Sequence, residues 1–171
     1  MHLPLPQCTI RSWRPADAAR LATVANDRDI WIMVRDRFPH PYTLADADAF
    51  IARVLAEEPE RNFAVAVDDA AVGGVVYMPG EDIHRVSAEV GYWLGADARG
   101  RGIATEAVRA FVGWIWENTE IQHLEAGVFT YNPASARVLE KVGFTLAYTA
   151  RNSAIKDGAL RDEWIYTINR G

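Results

Sequence analysis

The run Arg99-Gly100-Arg101-Gly102-Ile103-Ala104 carries the residue types needed to hold a phosphorylated ligand. A strand-like run, Ala88 to Leu94, precedes it, and a helix-like run, Ile103 to Trp116, follows it. A glycine turn that opens a helix leaves backbone N–H groups pointing outward, and the helix dipole and two arginines add positive charge there. The competing reading is a tight turn with no ligand. Two better-known phosphate loops fail residue by residue. A P-loop needs a Gly-Lys-Ser or Gly-Lys-Thr, and the chain has neither. The dinucleotide fingerprint needs a third Gly or Ala after Gly100 and Gly102, where Thr105 stands, and the loop lies mid-chain rather than after a first strand.

The pattern that fits is [QR]-x-x-G-x-[GA], met by Arg99, Gly102 and Ala104. Further on comes Asn132-Pro133-Ala134-Ser135-Ala136-Arg137-Val138-Leu139-Glu140-Lys141-Val142-Gly143-Phe144, an N-x-x-S-x-x-V-x-x-K-x-G-F arrangement. The strand before the loop reads Glu89-Val90-Gly91-Tyr92-Trp93-Leu94. In these three segments, in this order, the chain resembles the GNAT N-acetyltransferase superfamily, and within it the RimJ/RimL type that acetylates the N-termini of ribosomal proteins. The resemblance is close from Ala88 to Phe144 and looser from Ile10 to Met78 and from Gly158 to Ile168. It implies one α/β domain over residues 1–171. It also implies a central mixed, mostly antiparallel twisted sheet of about seven strands flanked by about four helices.

The same resemblance implies an acetyl-coenzyme A-dependent transfer of an acetyl group to a primary amine. The amine would be a protein N-terminus or a small molecule. It would attack the thioester directly in a ternary complex, with no covalent intermediate on the protein. The loop residues Arg99, Gly100, Arg101, Gly102, Ile103 and Ala104 would hold the cofactor pyrophosphate. The backbone N–H near Trp93 or Leu94 would polarise the thioester carbonyl. The pantetheine arm would lie between this strand and the His123 to Phe129 strand. Asn132 would bond the cofactor arm, and Arg137 and Lys141 would face the ribose phosphate. Glu89 matches the position of a functional glutamate and is the candidate base; otherwise it is an edge or salt-bridged glutamate. Many members protonate the leaving thiolate with a tyrosine, whose motif position is Leu139 here. In the RimJ/RimL type the serine matching Ser135 is the candidate acid instead; otherwise its hydroxyl bonds a nearby backbone group. A second reading, a non-catalytic acyl-CoA-binding module, draws on the missing tyrosine.

Amines are largely protonated at neutral pH, so a carboxylate base at this position makes chemical sense. The chain has no G-x-S-x-G elbow and no Cys–His pairing, in keeping with direct transfer. Strand alternation puts Glu89, Gly91 and Trp93 on one face and Val90, Tyr92 and Leu94 on the other. Trp31, Phe38 and Tyr42 lie in the region where the family shapes its acceptor pocket, and core packing explains each equally well. Tyr131 packs against ligand or core.

At 171 residues, with half of them apolar and a net charge of −5, the chain has the balance of a globular protein rather than a nucleic-acid binder. The acidic balance leans toward cationic acceptors. One cysteine, Cys8, excludes an internal disulfide and suits a reducing compartment. Histidines 2, 40, 84 and 123 show no ligand spacing, so no metal site is expected. There is no membrane-length apolar run and no signal-peptide pattern, so a cytoplasmic location with no membrane partner is expected. A homodimer is open, since dimers are common in the family.

The remaining elements follow from patterning. Thr9 to Trp13 reads as a strand and Pro15 to Val24 as a helix, with Asn26 to Pro41 irregular. Thr43 caps a helix carrying Leu44, Ala47, Ile51, Val54 and Leu55. Asn62 to Val67 and Val72 to Met78 read as a hairpin across Asp68-Asp69-Ala70-Ala71, with a bulge suggested at Gly73-Gly74. Arg85 to Leu94 and His123 to Phe129 are strands. Pro133 to Val142 is a helix capped by Asn132 and stopped by Gly143. Phe144 to Arg151 and Ala159 to Ile168 close the chain as strands.

Overall fold

Alternating apolar residues and their turn signals resolve into eight strands and five helices in the computed structural model, which describes residues 1–171. The elements are β1 (His2–Pro4), β2 (Thr9–Ser12), α1 (Ala18–Ala25), α2 (Arg28–Trp31), α3 (Leu44–Leu55), β3 (Asn62–Val67), β4 (Ala70–Pro79), β5 (Ser87–Leu94), α4 (Ile103–Asn118), β6 (His123–Phe129), α5 (Pro133–Val142), β7 (Thr145–Lys156) and β8 (Ala159–Asn169). The strands form one mixed sheet in the order β1-β2-β3-β4-β5-β6-β8-β7. β5 and β6 pair in parallel, and the β1–β2, β2–β3, β3–β4, β6–β8 and β7–β8 pairs are antiparallel. The chain makes two compact units, Met1–Val76 with Tyr92–Ala107, and Tyr77–Gly91 with Val108–Gly171.

In the first unit, α3 is delimited by a reciprocal cap. The Thr43 hydroxyl accepts the Asp46 N–H (3.2 Å), and the Asp46 carboxylate accepts the Thr43 N–H (2.8 Å). Ala47, Ile51 and Val54 then share one buried face, packed with Trp13, Leu21, Ala25 and Tyr42. Asp68 and Asp69 both have positive φ (48° and 65°), which makes the β3–β4 connection a two-residue turn shorter than the expected four. Val65 pairs with Gly73 but Ala66 with Ala71, so Val72 is the extra residue of a bulge beside Gly73. Its carbonyl accepts the Gly95 N–H at 2.8 Å. A buried pair closes this unit: Arg11 meets Asp17 in two 2.8 Å bonds, one to each carboxylate oxygen, and also donates to the Asp69 carbonyl.

In the second unit, α5 starts and stops as its residues dictate. The Asn132 side chain accepts the Ser135 N–H at 3.2 Å, Pro133 takes the first turn, and Gly143 ends the helix at φ 114°. Phe111, Ile115, Leu124 and Leu139 are fully buried. Tyr77, Phe111 and Trp114 form an aromatic cluster with centroids 6.1–6.3 Å apart.

Four further expectations need correction. The sheet has eight strands, because β1 pairs with β2; three residues ending at Pro4 are too short to show alternation. There are five helices, because Asp27 caps the single turn α2 inside the segment read as irregular. β5 begins at Ser87, since a 3-10 turn occupies Asp82–His84 and Arg85 caps it. β7 runs on to Lys156, because register shifts after Leu146 and Ala150 let an edge strand continue past Arg151.

Candidate active site

In the first unit, the end of β5 lies against β4 with no room for a side chain between them. A Cβ on Gly73 would collide with the Trp93 carbonyl oxygen and come within 2.5 Å of the Leu94 side chain. A Cβ on Gly74 would sit 3.2 Å from the Trp93 indole nitrogen. The Trp93 ring in turn meets Phe38 edge-on at 5.4 Å, and Phe38 contacts Tyr42 at 4.9 Å. Tyr42 is buried, and burial followed by the nearby Asp46 charge pushes its hydroxyl up to about 12, so it is a core residue. Trp31 is half-buried between His40 and the Arg28 guanidinium.

The loop after β5 takes the form its glycines permit. Gly100 (φ 73°) and Gly102 (φ 85°) occupy the left-handed region. Space above both is open: nothing lies within 4 Å of a Cβ on Gly100, and only the Gln7 amide nitrogen, at 3.5 Å, approaches one on Gly102. Ile103 is fully buried and anchors the start of α4, while Ala104 is half-buried and Arg101 exposed. The first backbone bond of this helix runs from the Glu106 N–H to the Gly102 carbonyl (3.1 Å). The N–H groups of Ile103, Ala104 and Thr105 therefore precede the helical ladder, as an anion site requires. Arg99 turns back: Nε donates to the Leu94 carbonyl (2.9 Å) and Nη2 to Asp27 Oδ2 (3.0 Å). Glu106 accepts the Gln7 N–H (3.1 Å). Burial, and then the Glu106 charge, push the Cys8 thiol up to about 11.

In the second unit, Glu89 is half-buried on β5 and stands directly opposite Glu125 of β6 in the parallel register, which runs from Ser87↔His123 to Glu89↔Glu125. Neighbouring residues Ala88 and Val90 are buried, so the strand presents its carboxylate on the less covered face. Two residues beyond Glu125, a Cβ on Gly127 would lie in tight contact with Glu163, 3.3 Å from its Oε1. The other Glu163 oxygen accepts the Ser153 hydroxyl (2.8 Å). Asn132 and Ser135 are brought together by the α5 cap, and both are half-buried. Arg137 and Lys141 are exposed on the same helix. Leu139, at the position of the family tyrosine, is fully buried. Tyr131 stacks on Phe129 at 5.2 Å with the Arg161 guanidinium 5.2 Å over its ring, a packing role.

Sequence reasoning missed Asp27, Glu125 and the packing role of Gly73. Pairing of Asp27 with Arg99 has no local signal across 72 residues. Glu125 becomes visible only once β5 and β6 are in register.

The Acetyltransferase (GNAT) domain family model matches residues 7–145, and the chain belongs to this family of acetyltransferases. Probable N-acetyltransferase YjcK of Bacillus subtilis (strain 168) is 34% identical over 116 residues, 67% of this chain and 64% of that protein. The ribosomal-protein-serine acetyltransferase of Escherichia coli (strain K12) is 25% identical over 104 residues, 61% of this chain and 58% of that protein. Among solved structures, RimL, a ribosomal L7/L12 alpha-N-protein acetyltransferase in complex with coenzyme A, superposes with a TM-score of 0.87 at 16% identity, covering 99% of this chain and 98% of that one. These matches support placement near the RimJ/RimL branch. No helix is long and apolar enough to cross a membrane.

Proposed function

We propose that the protein transfers the acetyl group of acetyl-coenzyme A to a primary amine, by direct attack within a ternary complex and within one domain spanning residues 1–171. One observation carries this reading: two glycines in the left-handed region, with open space above them, lead into the N-terminus of the sixteen-residue α4. That arrangement suits a pyrophosphate, because backbone N–H groups can approach it without side-chain obstruction and the helix dipole favours its charge. The relative crystallised with coenzyme A lends support.

Acetyl-coenzyme A supplies an activated thioester. The chain supplies position and charge. Arg99 and Arg101 pair with the pyrophosphate. The backbone N–H at Trp93 or Leu94 polarises the thioester carbonyl and stabilises its oxyanion. The pantetheine arm lies between β5 and β6, Asn132 bonds it, and Arg137 and Lys141 face the ribose phosphate. Glu89 takes the amine proton, directly or through water. The thiolate receives a proton from Ser135, since buried Leu139 has no hydroxyl to give. The juxtaposed carboxylates Glu89 and Glu125 favour a cationic acceptor, a peptide N-terminus or a polyamine. Leu139 also supports a non-catalytic acyl-CoA-binding module, and turnover separates the two.

The test is a calorimetric titration with acetyl-coenzyme A, with ATP as the control, followed by an acceptor screen of peptides and polyamines. Micromolar binding of acetyl-coenzyme A alone, with thiol release in the presence of an amine, is the expected result. Binding without turnover on any amine selects the non-catalytic module. Failure of the folded protein to bind acetyl-coenzyme A overturns both.

A further inference from the structure

Arg99, the first residue of the loop motif, is fixed from two sides. Its Nε is held by the carbonyl of Leu94, the last residue of β5, and its Nη2 by Asp27 Oδ2. These bonds use two of the five guanidinium N–H groups, and neither involves Nη1. Asp27 is itself immobilised. Its other oxygen, Oδ1, accepts the Asp29 N–H at 2.8 Å as the cap of α2. From Leu94 the contacts continue through its neighbour Trp93 to Phe38, from Phe38 to Tyr42, and from the Tyr42 N–H to Asn26 Oδ1 at 3.0 Å. Asn26 adjoins Asp27, so the path closes into a ring that joins the α1–α3 connection to the loop.

We propose that Asp27 is a positioning residue for the phosphate loop, holding the Arg99 guanidinium in one orientation so that its remaining N–H groups meet the cofactor pyrophosphate. This rests on the reading of the loop as the pyrophosphate site. An unrestrained arginine loses rotamer freedom on pairing, and one held in place beforehand loses less. Acting only through space, the Asp27 charge would repel a pyrophosphate, so its removal would tighten binding. Positioning predicts the opposite sign, and the sign decides between them.

The experiment is calorimetric titration of acetyl-coenzyme A into the wild type, Asp27→Asn, Asp27→Ser, Arg99→Ala and Asp27→Asn/Arg99→Ala, each checked by thermal unfolding. Asn and Ser both keep a helix-cap oxygen, so α2 retains its cap. Asp27→Asn is expected to weaken binding by about three- to tenfold, and Asp27→Ser, which is too short to reach Arg99, by more. In the Arg99→Ala background Asp27→Asn is expected to cause no weakening, because the residue positions only through Arg99 and what remains of its charge is repulsion. Unchanged or tighter binding by the Asp27 variants overturns the proposal while leaving the loop assignment intact. A full effect of Asp27→Asn without Arg99 also overturns it. No binding by the wild type removes the loop assignment and this proposal together.

Discussion

Gly73 of β4 lies directly beneath the Trp93 carbonyl at the end of β5, too close for any Cβ. The bulge at Val72 and the bond from the Gly95 N–H to the Val72 carbonyl hold the two strands at this separation. Gly73→Ala must therefore push β5 away at the residues proposed to polarise the thioester. A loss of about 1–3 kcal/mol in urea unfolding is expected, with weakened acetyl-coenzyme A binding. Gly113 is the control. It lies within α4 with nothing within 4 Å of its Cβ, so Gly113→Ala is expected to stabilise by about 0.5–1 kcal/mol. Equal effects of the two substitutions would refute the steric argument.

Gly100 and Gly102 have space but not freedom. Both stand at positive φ, where a Cβ costs roughly 1–2 kcal/mol per residue. Each alanine variant is expected to shift the unfolding midpoint modestly and to lower acetyl-coenzyme A affinity further, since a methyl group would enter the space proposed for the pyrophosphate. Calorimetry alongside urea melts checks the order. Stability loss with unchanged affinity would detach the loop from the ligand.

What was legible in the sequence was local. Asn132, Pro133 and Gly143 marked both ends of α5 because capping chemistry acts within a few residues. Thr43 and Asp46 marked the start of α3 in the same way. The glycine turn that opens α4 was readable because its glycines and the following helix are contiguous. Contacts across the chain were not readable. Arg99 carries the charge expected of a phosphate ligand, yet its own partners, Leu94 and Asp27, depend on how β5 ends and where α2 starts. The glycine pair at 73–74 suggested a bulge, but not that β5 closes over it. Short elements such as β1 and α2 hold too few residues to show a period.

The Arg11–Asp17 pair sets a pH dependence. Burial alone would raise the Asp17 carboxyl. The Arg11 hydrogen bonds, the Arg14 N–H and both arginine charges outweigh it, leaving the group below the usual carboxylate range. Arg11 is raised, first by its bond to Asp17, and stays charged throughout. A depressed folded value contributes stability that is complete above the unfolded value, about 3.9, and is lost as pH falls through the folded one. Asp17→Ala is expected to cost about 3–5 kcal/mol at neutral pH, because it leaves Arg11 buried and without its main partner. The gap between wild type and variant should narrow below about pH 4 in urea melts. A gap constant down to pH 2 would show that packing, not charge, is lost.

Glu89→Gln tests the chemistry most directly. The substitution keeps the size and shape of the side chain on β5 and removes its charge together with its capacity to accept a proton. Acetyl-coenzyme A binding is expected to stay within about twofold, since the proposed cofactor contacts lie elsewhere on the chain. Transfer to an amine is expected to slow by at least ~10²-fold near neutral pH. The loss should shrink as pH rises toward the acceptor's own pKa, roughly 8 for an α-amine, because a deprotonated amine no longer needs a base. Glu125→Gln at the adjacent position separates base from field: it should raise the KM of a cationic acceptor with a smaller effect on kcat. An unchanged rate for Glu89→Gln across the pH range would remove Glu89 from the mechanism and leave the amine to shed its proton to solvent.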